Sequence, residues 1–432
     1  MSAEPAGTLD FDVVIVGGRP AGASLAARLG ARGLRVLVVD KAEVRSQPAV
    51  PSCPVVYPSS MRLLDEIGMK EAEYSEVSGR IRLLVIKFHT HFDASFPLPR
   101  MFGRDYVYGI DRAHFDHALW AHLAKYPSVT ARRGFAFQDL VRDAGGQVIG
   151  IEGQQGDGPK ETIRARCVVG ADGRFSQVAR RAGARVLEDF PEHTSTVYFA
   201  DWEGIDFPVA GDRPAYIYAT GRGTNVMMFP MPHGRVTVCT HMRADRVEID
   251  GDAEGFYKGV LQRYGWVQRR LTAARQVGPV VGIKRISNRY IEAGGPGWVL
   301  VGDAFHQKDP VDGQGIYDAL IEAKVLDEEL APFLAGERTF AVSLDAYRRR
   351  ADEATRPMFL ATLDRLKREL YEEPPTIMIR TLVRWMLTDP EYQERFMRFL
   401  GRDIPPETWM TPALMRACAA RGVVSDLRSL WS

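Results

Sequence analysis

No two of the four cysteines in this 432-residue chain, Cys53, Cys167, Cys239 and Cys418, make a C-x-x-C pair. That spacing argues against a disulfide framework, a zinc site or a redox disulfide. No apolar run is long enough to span a bilayer, and Met1 to Leu9 lacks the pattern of a secretory leader, so a cytoplasmic protein with a loose first nine residues is expected. With 56 basic and 55 acidic residues interspersed, the net charge of +1 favours neither a polyanionic partner nor an acidic tail. Internal repeats, low-complexity stretches and nucleic-acid motifs are missing, and membrane association is not expected. There is no Gly-x-Ser-x-Gly elbow and no Cys/His constellation, so no metal is expected and no catalytic residue announces itself.

What is present is three motifs in order. The first runs from Phe11 through Gly17-Gly18-Arg19-Pro20-Ala21-Gly22, continues as a small-residue helix from about Pro20 to Arg32, and closes with a second apolar run ending at Asp40. This is a βαβ start, with an acidic residue eighteen positions beyond Gly22. Gly17 allows the tight turn, Gly22 lets helix approach strand, and the helix N-terminus offers N–H groups to a pyrophosphate. Asp40, with Lys41 beside it, suits ribose hydroxyls without a 2′-phosphate. The middle glycine of G-x-G-x-x-G is Arg19, which must turn its side chain away or set its guanidinium near the phosphates.

The second motif is Gly170-Ala171-Asp172-Gly173 followed by Ser176, a strand delivering an Asp-Gly turn that could also be a plain hairpin. The third runs from Gly302-Asp303-Ala304 through His306 and Pro310 to Gly313-Gln314-Gly315-Ile316, where a strand end and a Gly-rich loop lead into a helix. Asp303 can bind a polyol, and the N–H groups of Gly315 and Ile316 can face the electron-rich side of a flavin. Order and spacing together point to FAD. His306 reads as a packing or phosphate-side histidine, and Lys308 with Asp309 as a turn ion pair.

These motifs resemble those of the group A flavoprotein monooxygenases, the p-hydroxybenzoate hydroxylase type, over about residues 10 to 350. More distantly they are similar to flavin halogenases and geranylgeranyl reductases. Asp111-Arg112 with Phe115-Asp116 and Leu119 looks like that family's Arg-x-x-Leu-Asp helix start. The resemblance implies that Arg112 contacts FAD, Asp172 organises the nicotinamide and FAD phosphate region, and Asp303 binds ribityl. It also implies transient NADPH or NADH, O2 as co-substrate, and a C4a-hydroperoxyflavin that oxygenates a small molecule. Two departures stand out: the family's Pro-Pro is Asp309-Pro310, and its following Asn is Tyr317.

The expected fold class is α/β (α+β), a Rossmann-like FAD/NAD(P)-binding domain with an inserted β-sheet substrate domain and C-terminal helices. The FAD domain is expected from residues 10–75, 102–185 and 280–335, the β-rich substrate domain from 76–101 and 186–279, and a helical segment from 336–432. Tyr216, Tyr218, Met228 and Phe229 are the candidate substrate contacts. The segment after Ala341 reads as helical through Lys367 and again from Thr376 to Leu400. An aromatic, polyketide-like or other apolar substrate fits the leading expectation of hydroxylation or epoxidation. A prenyl or alkene reductase, a halogenase, and a protein-binding module on the same scaffold stay open, as does a homodimer. Against the halogenase, no Trp-x-Trp element and no obvious active-site Lys follow the first motif.

Overall fold

The computed structural model describes residues 9–48, 52–76, 79–206, 213–249, 251–429 and 431, so most of the expected loose start lies outside the described residues. Four consecutive β-branched residues, Val13 to Val16, are each 5% exposed or less. Such a run cannot alternate inside and outside, and it forms the central strand Phe11–Val16 of a sheet covered on both faces. Val13 pairs in parallel with Val36 of strand Val36–Asp40 on one side and with Cys167 of Lys160–Gly170 on the other. Beyond these lie Val129–Arg133 and Trp298–Leu300, also parallel. An antiparallel pair, Phe135–Arg142 and Val148–Gln155, branches from Lys160–Gly170.

Three of these neighbouring strands carry the three motifs. Because they run parallel, Gly17, Asp172 and Gly302 emerge at one edge of the sheet, the carboxyl end where α/β folds bind ligands. Backbone bonds stitch the exits together: Ala171 N–H donates to Val16 O at 2.8 Å and Val301 N–H to Gly170 O at 3.0 Å. Helix Pro20–Ala31 covers one face against helix Gly315–Leu334, with Arg32 bonded to Asp327 at 2.7 Å.

A second sheet of seven strands runs in the order Arg275–Ile283, Ser195–Glu203, Val236–Arg243, Thr224–Pro230, Ala215–Ala219, Leu83–Phe88, Phe92–Pro97. Strand Arg275–Ile283 passes position 279 because its pairing with Ser195–Glu203 continues to Val197 opposite Ile283. Side chains alternate between two buried faces. Val197, Phe199, Met227 and Cys239 form one cluster, joined by Ile217 and Phe229. Tyr198, Tyr216, Tyr218, Met228 and Val238 form another, against helices Ala253–Gln262 and Gly265–Leu271.

Helix Phe340–Leu366 buries Tyr347, Met358 and Phe359. The region expected to be helical from Thr376 to Leu400 breaks at Asp389. Pro390 cannot continue a preceding helix but opens one readily, and the Asp389 carboxylate caps the start by accepting the Glu391 and Tyr392 N–H groups. The resulting helix, Pro390–Leu400, sends Phe396, Phe399 and Leu400 into a cluster with Ile86, Phe96 and Val55. Among the described residues, no helix is long and apolar enough to cross a membrane, and no group of His, Cys, Asp and Glu could hold a metal ion.

Candidate functional site

The first turn is built by steric necessity. Gly17 has φ 105°, and a Cβ there would lie 2.4 Å from Ala171 O of the second motif's exit. Asp40 closes the turn from the neighbouring strand, accepting the Gly18 N–H and the Ala42 N–H, both at 2.9 Å. A pocket opens here between Gly18, Asp40, His117, Trp120 and Arg133. Lys41 is exposed beside it.

Arg19 sits just before the helix with an extended backbone, and its guanidinium reaches across to Asp116, 2.5 Å away. Arg112 meets the same carboxylate at 3.1 Å, and also donates to Ser52 Oγ. Asp116 is 8% exposed and held between two cations. The side chain of Arg19 is therefore turned away from the start of helix Pro20–Ala31, which leaves the N–H groups there clear for an anion.

Asp172 spends its carboxylate locally. It accepts Ser176 Oγ–H at 2.6 Å and the Gln177 and Val178 N–H groups at 2.6 and 3.2 Å, capping helix Gln177–Ala182. Burial raises this carboxyl above its ordinary range despite those donors. Asp303 is 42% exposed at the end of the third strand and pairs with Arg174 at 3.1 Å. Gly313 takes φ 66° next to Cys53 and Tyr57, and the start of helix Gly315–Leu334 is open: a Cβ on Gly315 would meet nothing within 4 Å. Ile316 is buried behind it.

The loop between Gly302 and Ile316 is tied to several elements around it. Asp309 accepts from Ser195 Oγ and His241 Nε2 of the second sheet, the latter at 3.0 Å. Asp312 binds Thr362 and Arg365 of helix Phe340–Leu366. Gln314 donates to Leu400 O and accepts from Arg402 at 2.9 Å. Lys308 pairs not with Asp309, as the sequence suggested, but with Asp318 at 2.6 Å. Adjacent residues in extended backbone project to opposite sides, which separates the two. None of Ser195, His241, Arg365 or Arg402 stands in a motif. The signal for them was indirect, in the form of acids where an apolar loop would be cheaper to bury.

His306 is buried with Nδ1 2.5 Å from Glu322 and stacks on Tyr290. Burial alone would lower its pKa, but Glu322 and Asp318 more than reverse this and raise it to about 9. Since the folded value lies above the ordinary 6.5, this histidine's stabilisation is complete below pH 6.5 and is lost as pH rises through about 9. We expect wild type to lose on the order of 3 kcal/mol relative to His306→Gln across that window. Denaturant unfolding of both proteins at several pH values checks this, and parallel curves would contradict it.

Of the four candidate substrate contacts, Phe229 alone projects to the sheet face that meets this loop. Tyr216, Tyr218 and Met228 have the opposite parity and pack beneath the helices, where Tyr218 stacks on Trp266. The face toward the loop carries Val197, Phe199, Ile217, Met227, Phe229 and Cys239, and continues to Ile86.

The glycine cradle, the acid beside the first turn and two helix starts at one sheet edge fit an extended dinucleotide carrying a pyrophosphate. Comparison with known proteins agrees. Residues 10–359 match the family model described as FAD binding domain. Ubiquinone hydroxylase UbiL of Rhodospirillum rubrum is 29% identical over 334 residues, covering 74% of this chain and 72% of its own. Digeranylgeranylglycerophospholipid reductase 1 of Methanopyrus kandleri is 28% identical over 91% of this chain and 98% of its own. Flavin-dependent brominase Bmp2 shares the fold with a TM-score of 0.77 at 19% identity, over 95% of this chain and 98% of its own. With well over half its length matched, the chain belongs to the FAD binding domain family and is an FAD-dependent oxidoreductase.

Proposed function

We propose that the protein is a monooxygenase that uses NADPH or NADH and O2 to hydroxylate or epoxidise an apolar small molecule. The observation carrying this reading is the apolar wall of Phe199, Ile217, Met227, Phe229 and Cys239 set against the loop from Asp309 to Ile316. A ubiquinone hydroxylase among the relatives supports it. Gly17, Gly22 and the helix start at Pro20 would hold the FAD pyrophosphate, Asp40 the adenosine ribose, Asp303 the ribityl chain, and Gly315 and Ile316 the ring. Bound FAD would supply the two-electron chemistry and the point where O2 is activated. The chain's own part is to orient and to exclude water. Its apolar wall would exclude water beside the ring, and the N–H groups at the start of helix Gly315–Leu334 would offer hydrogen-bond donors to it. A halogenase reading is weakened because that wall offers no lysine. Lys87 lies on a strand of the same sheet with the opposite parity, pairing with Asp93 at 2.6 Å.

Reduction of an alkene is the second reading, favoured by the near full-length match to the Methanopyrus reductase. Anaerobic mixing of FAD-loaded protein with NADH or NADPH tests the first. We expect the flavin absorbance to bleach, and readmitted labelled O2 to place one labelled atom in a converted aromatic or alkene. A flavin that only dithionite reduces, or a product that gains two hydrogens and no label, would overturn the monooxygenase reading.

A further inference from the structure

Helix Pro412–Ser429 has two apolar faces, and the fold buries only one of them. Leu414, Cys418 and Gly422 recur every fourth residue and are buried, with Gly422 packed so closely that a Cβ there would lie 2.1 Å from Trp385 Cγ. On the opposite side of the same helix Ala420, Val423, Val424 and Leu427 face outward. The packing partner is the helical stretch 376–387. Asp389 just after it meets Arg421 at 2.6 Å, Trp385 meets Gly422, and Arg384 meets Asp426 at 2.5 Å. One number falls as the other rises, so the two run antiparallel, and Ile377 and Met378 at the start of one lie at the same end as Leu427 of the other. Among the described residues fourteen large apolar side chains are exposed, and six of them, Ile377, Met378, Val423, Val424, Leu427 and Trp431, stand on this pair of helices or just beyond it. Scattered singly such residues mean little, but gathered they mark a contact surface.

The charges around this surface are of one sign. Arg380, Arg416 and Arg428 form no ion pair among the described residues. The one acid of helix Pro412–Ser429, Asp426, is spent on Arg384 and on the Trp385 indole N–H, on the packed side. Beside the stretch 376–387, burial first, and then Arg380, His89 and Arg222, lower the His91 pKa, the effect of positive charge that no acid offsets. Size and sign together say what covers the face. A stable protein interface engages about 20–30 residues a side, and six apolar side chains fall well short of that. A second copy docked stripe to stripe about a two-fold axis would set the arginines toward the two ends of the stripe, Arg416 and Arg428, close to one another with no acid between them. A lipid surface carrying negative headgroups meets both demands, with phosphates for the arginines and acyl chains for the apolar side chains.

We propose that the face of helix Pro412–Ser429 carrying Val423, Val424 and Leu427, with Ile377 and Met378 beside it, docks on an anionic lipid surface. The helix lies in the plane of that surface and does not span it, with Arg380, Arg416 and Arg428 among the headgroups. Because both of its faces are apolar, neither stands out in the sequence, which gives no reason to expect a membrane contact. The docking is independent of which reaction the flavin supports.

The test is flotation of the FAD-loaded protein with vesicles of phosphatidylcholine alone and of phosphatidylcholine mixed equally with phosphatidylglycerol. We expect the mixed vesicles to bind about tenfold or more tightly, and added salt to weaken them. Val423→Ser with Leu427→Ser should reduce that binding about tenfold, and Arg416→Glu with Arg428→Glu by at least as much. All four positions are exposed, so these variants should stay folded and yellow. Val342→Ser is the control: that side chain is exposed on helix Phe340–Leu366, away from the surface, and its loss should leave flotation unchanged. A wild-type protein that does not float with the mixed vesicles, or a double serine variant that floats as well as wild type, would overturn the proposal. A dimer seen in sedimentation that Leu427→Ser dissociates would overturn it too, and assign the face to a second copy of this chain.

Discussion

Asp318→Asn is expected to destabilise the protein by about 3–5 kcal/mol, the cost of breaking a buried ion pair from one side. Asp318 lies 2.6 Å from Lys308 Nζ and 2.7 Å from Arg402 Nη2, and the three side chains are 9% exposed or less. Burial alone would raise the Asp318 carboxyl, yet Lys308 and Arg402 hold it far below its usual range. The asparagine cannot neutralise Lys308 and Arg402, nor the protonated His306 that lies 3.7 Å from Asp318. Lys308 can shed its proton, since burial already lowers its pKa, but an arginine cannot. The damage should reach the loop from Asp309 to Ile316 as well, because Arg402 also holds Gln314 and lies 4.8 Å over the Tyr317 ring. Thermal or denaturant unfolding measures the cost. Adding Lys308→Met should restore part of it, as removing one cation relieves the repulsion. A single-variant loss below about 1 kcal/mol would mean that this carboxylate is solvated like a surface group.

Why that network escaped the sequence is instructive. Gly17, Asp40 and Gly313 were readable because each answers a local demand, either a backbone angle or a turn closed by a near neighbour. The parallel strands were readable for a similar reason, since Val13 to Val16 can only be a run buried on both faces. Asp309, Asp312, Gln314 and Asp318 follow no local rule. Their partners His241, Arg365 and Arg402 lie 68, 53, 88 and 84 residues away, in elements placed by packing. The second sheet is a subtler case. Its strands were legible from their alternation, but both faces are apolar, one meeting the loop and the other meeting helices. Composition cannot say which parity looks inward, and Tyr216, Tyr218 and Met228 went to the face that aromatic Trp266 covers.

The same distinction between local and distant demands makes Gly22→Ala the most severe single change we expect at the cofactor site. Alanine is the best helix former, and Gly22 has an ordinary helical backbone inside Pro20–Ala31, so by propensity alone the change should stabilise. Space decides otherwise. The added Cβ would lie 1.9 Å from Gly17 O and 3.1 Å from Ile15 Cγ2. Gly17 cannot retreat, because its N–H is bonded to Val39 O at 2.8 Å and Ala171 O crowds its other side, where a built Cβ would come within 2.4 Å. The helix must therefore lift from the turn. Overpacking of this kind costs about 1–3 kcal/mol in stability. The larger effect falls on FAD, because the N–H groups at the helix start move with it while Asp40 stays with its strand. We expect FAD affinity to fall by about a hundredfold, or about 2.7 kcal/mol, so that the purified protein is nearly colourless while remaining folded. Gly259→Ala is the control: it lies in helix Ala253–Gln262, a Cβ there meets nothing within 4 Å, and the change should leave the yellow colour and gain up to about 1 kcal/mol. A yellow Gly22→Ala protein with undiminished FAD affinity would show that the helix start does not carry the pyrophosphate, and the placement of the cofactor on this turn would have to be abandoned.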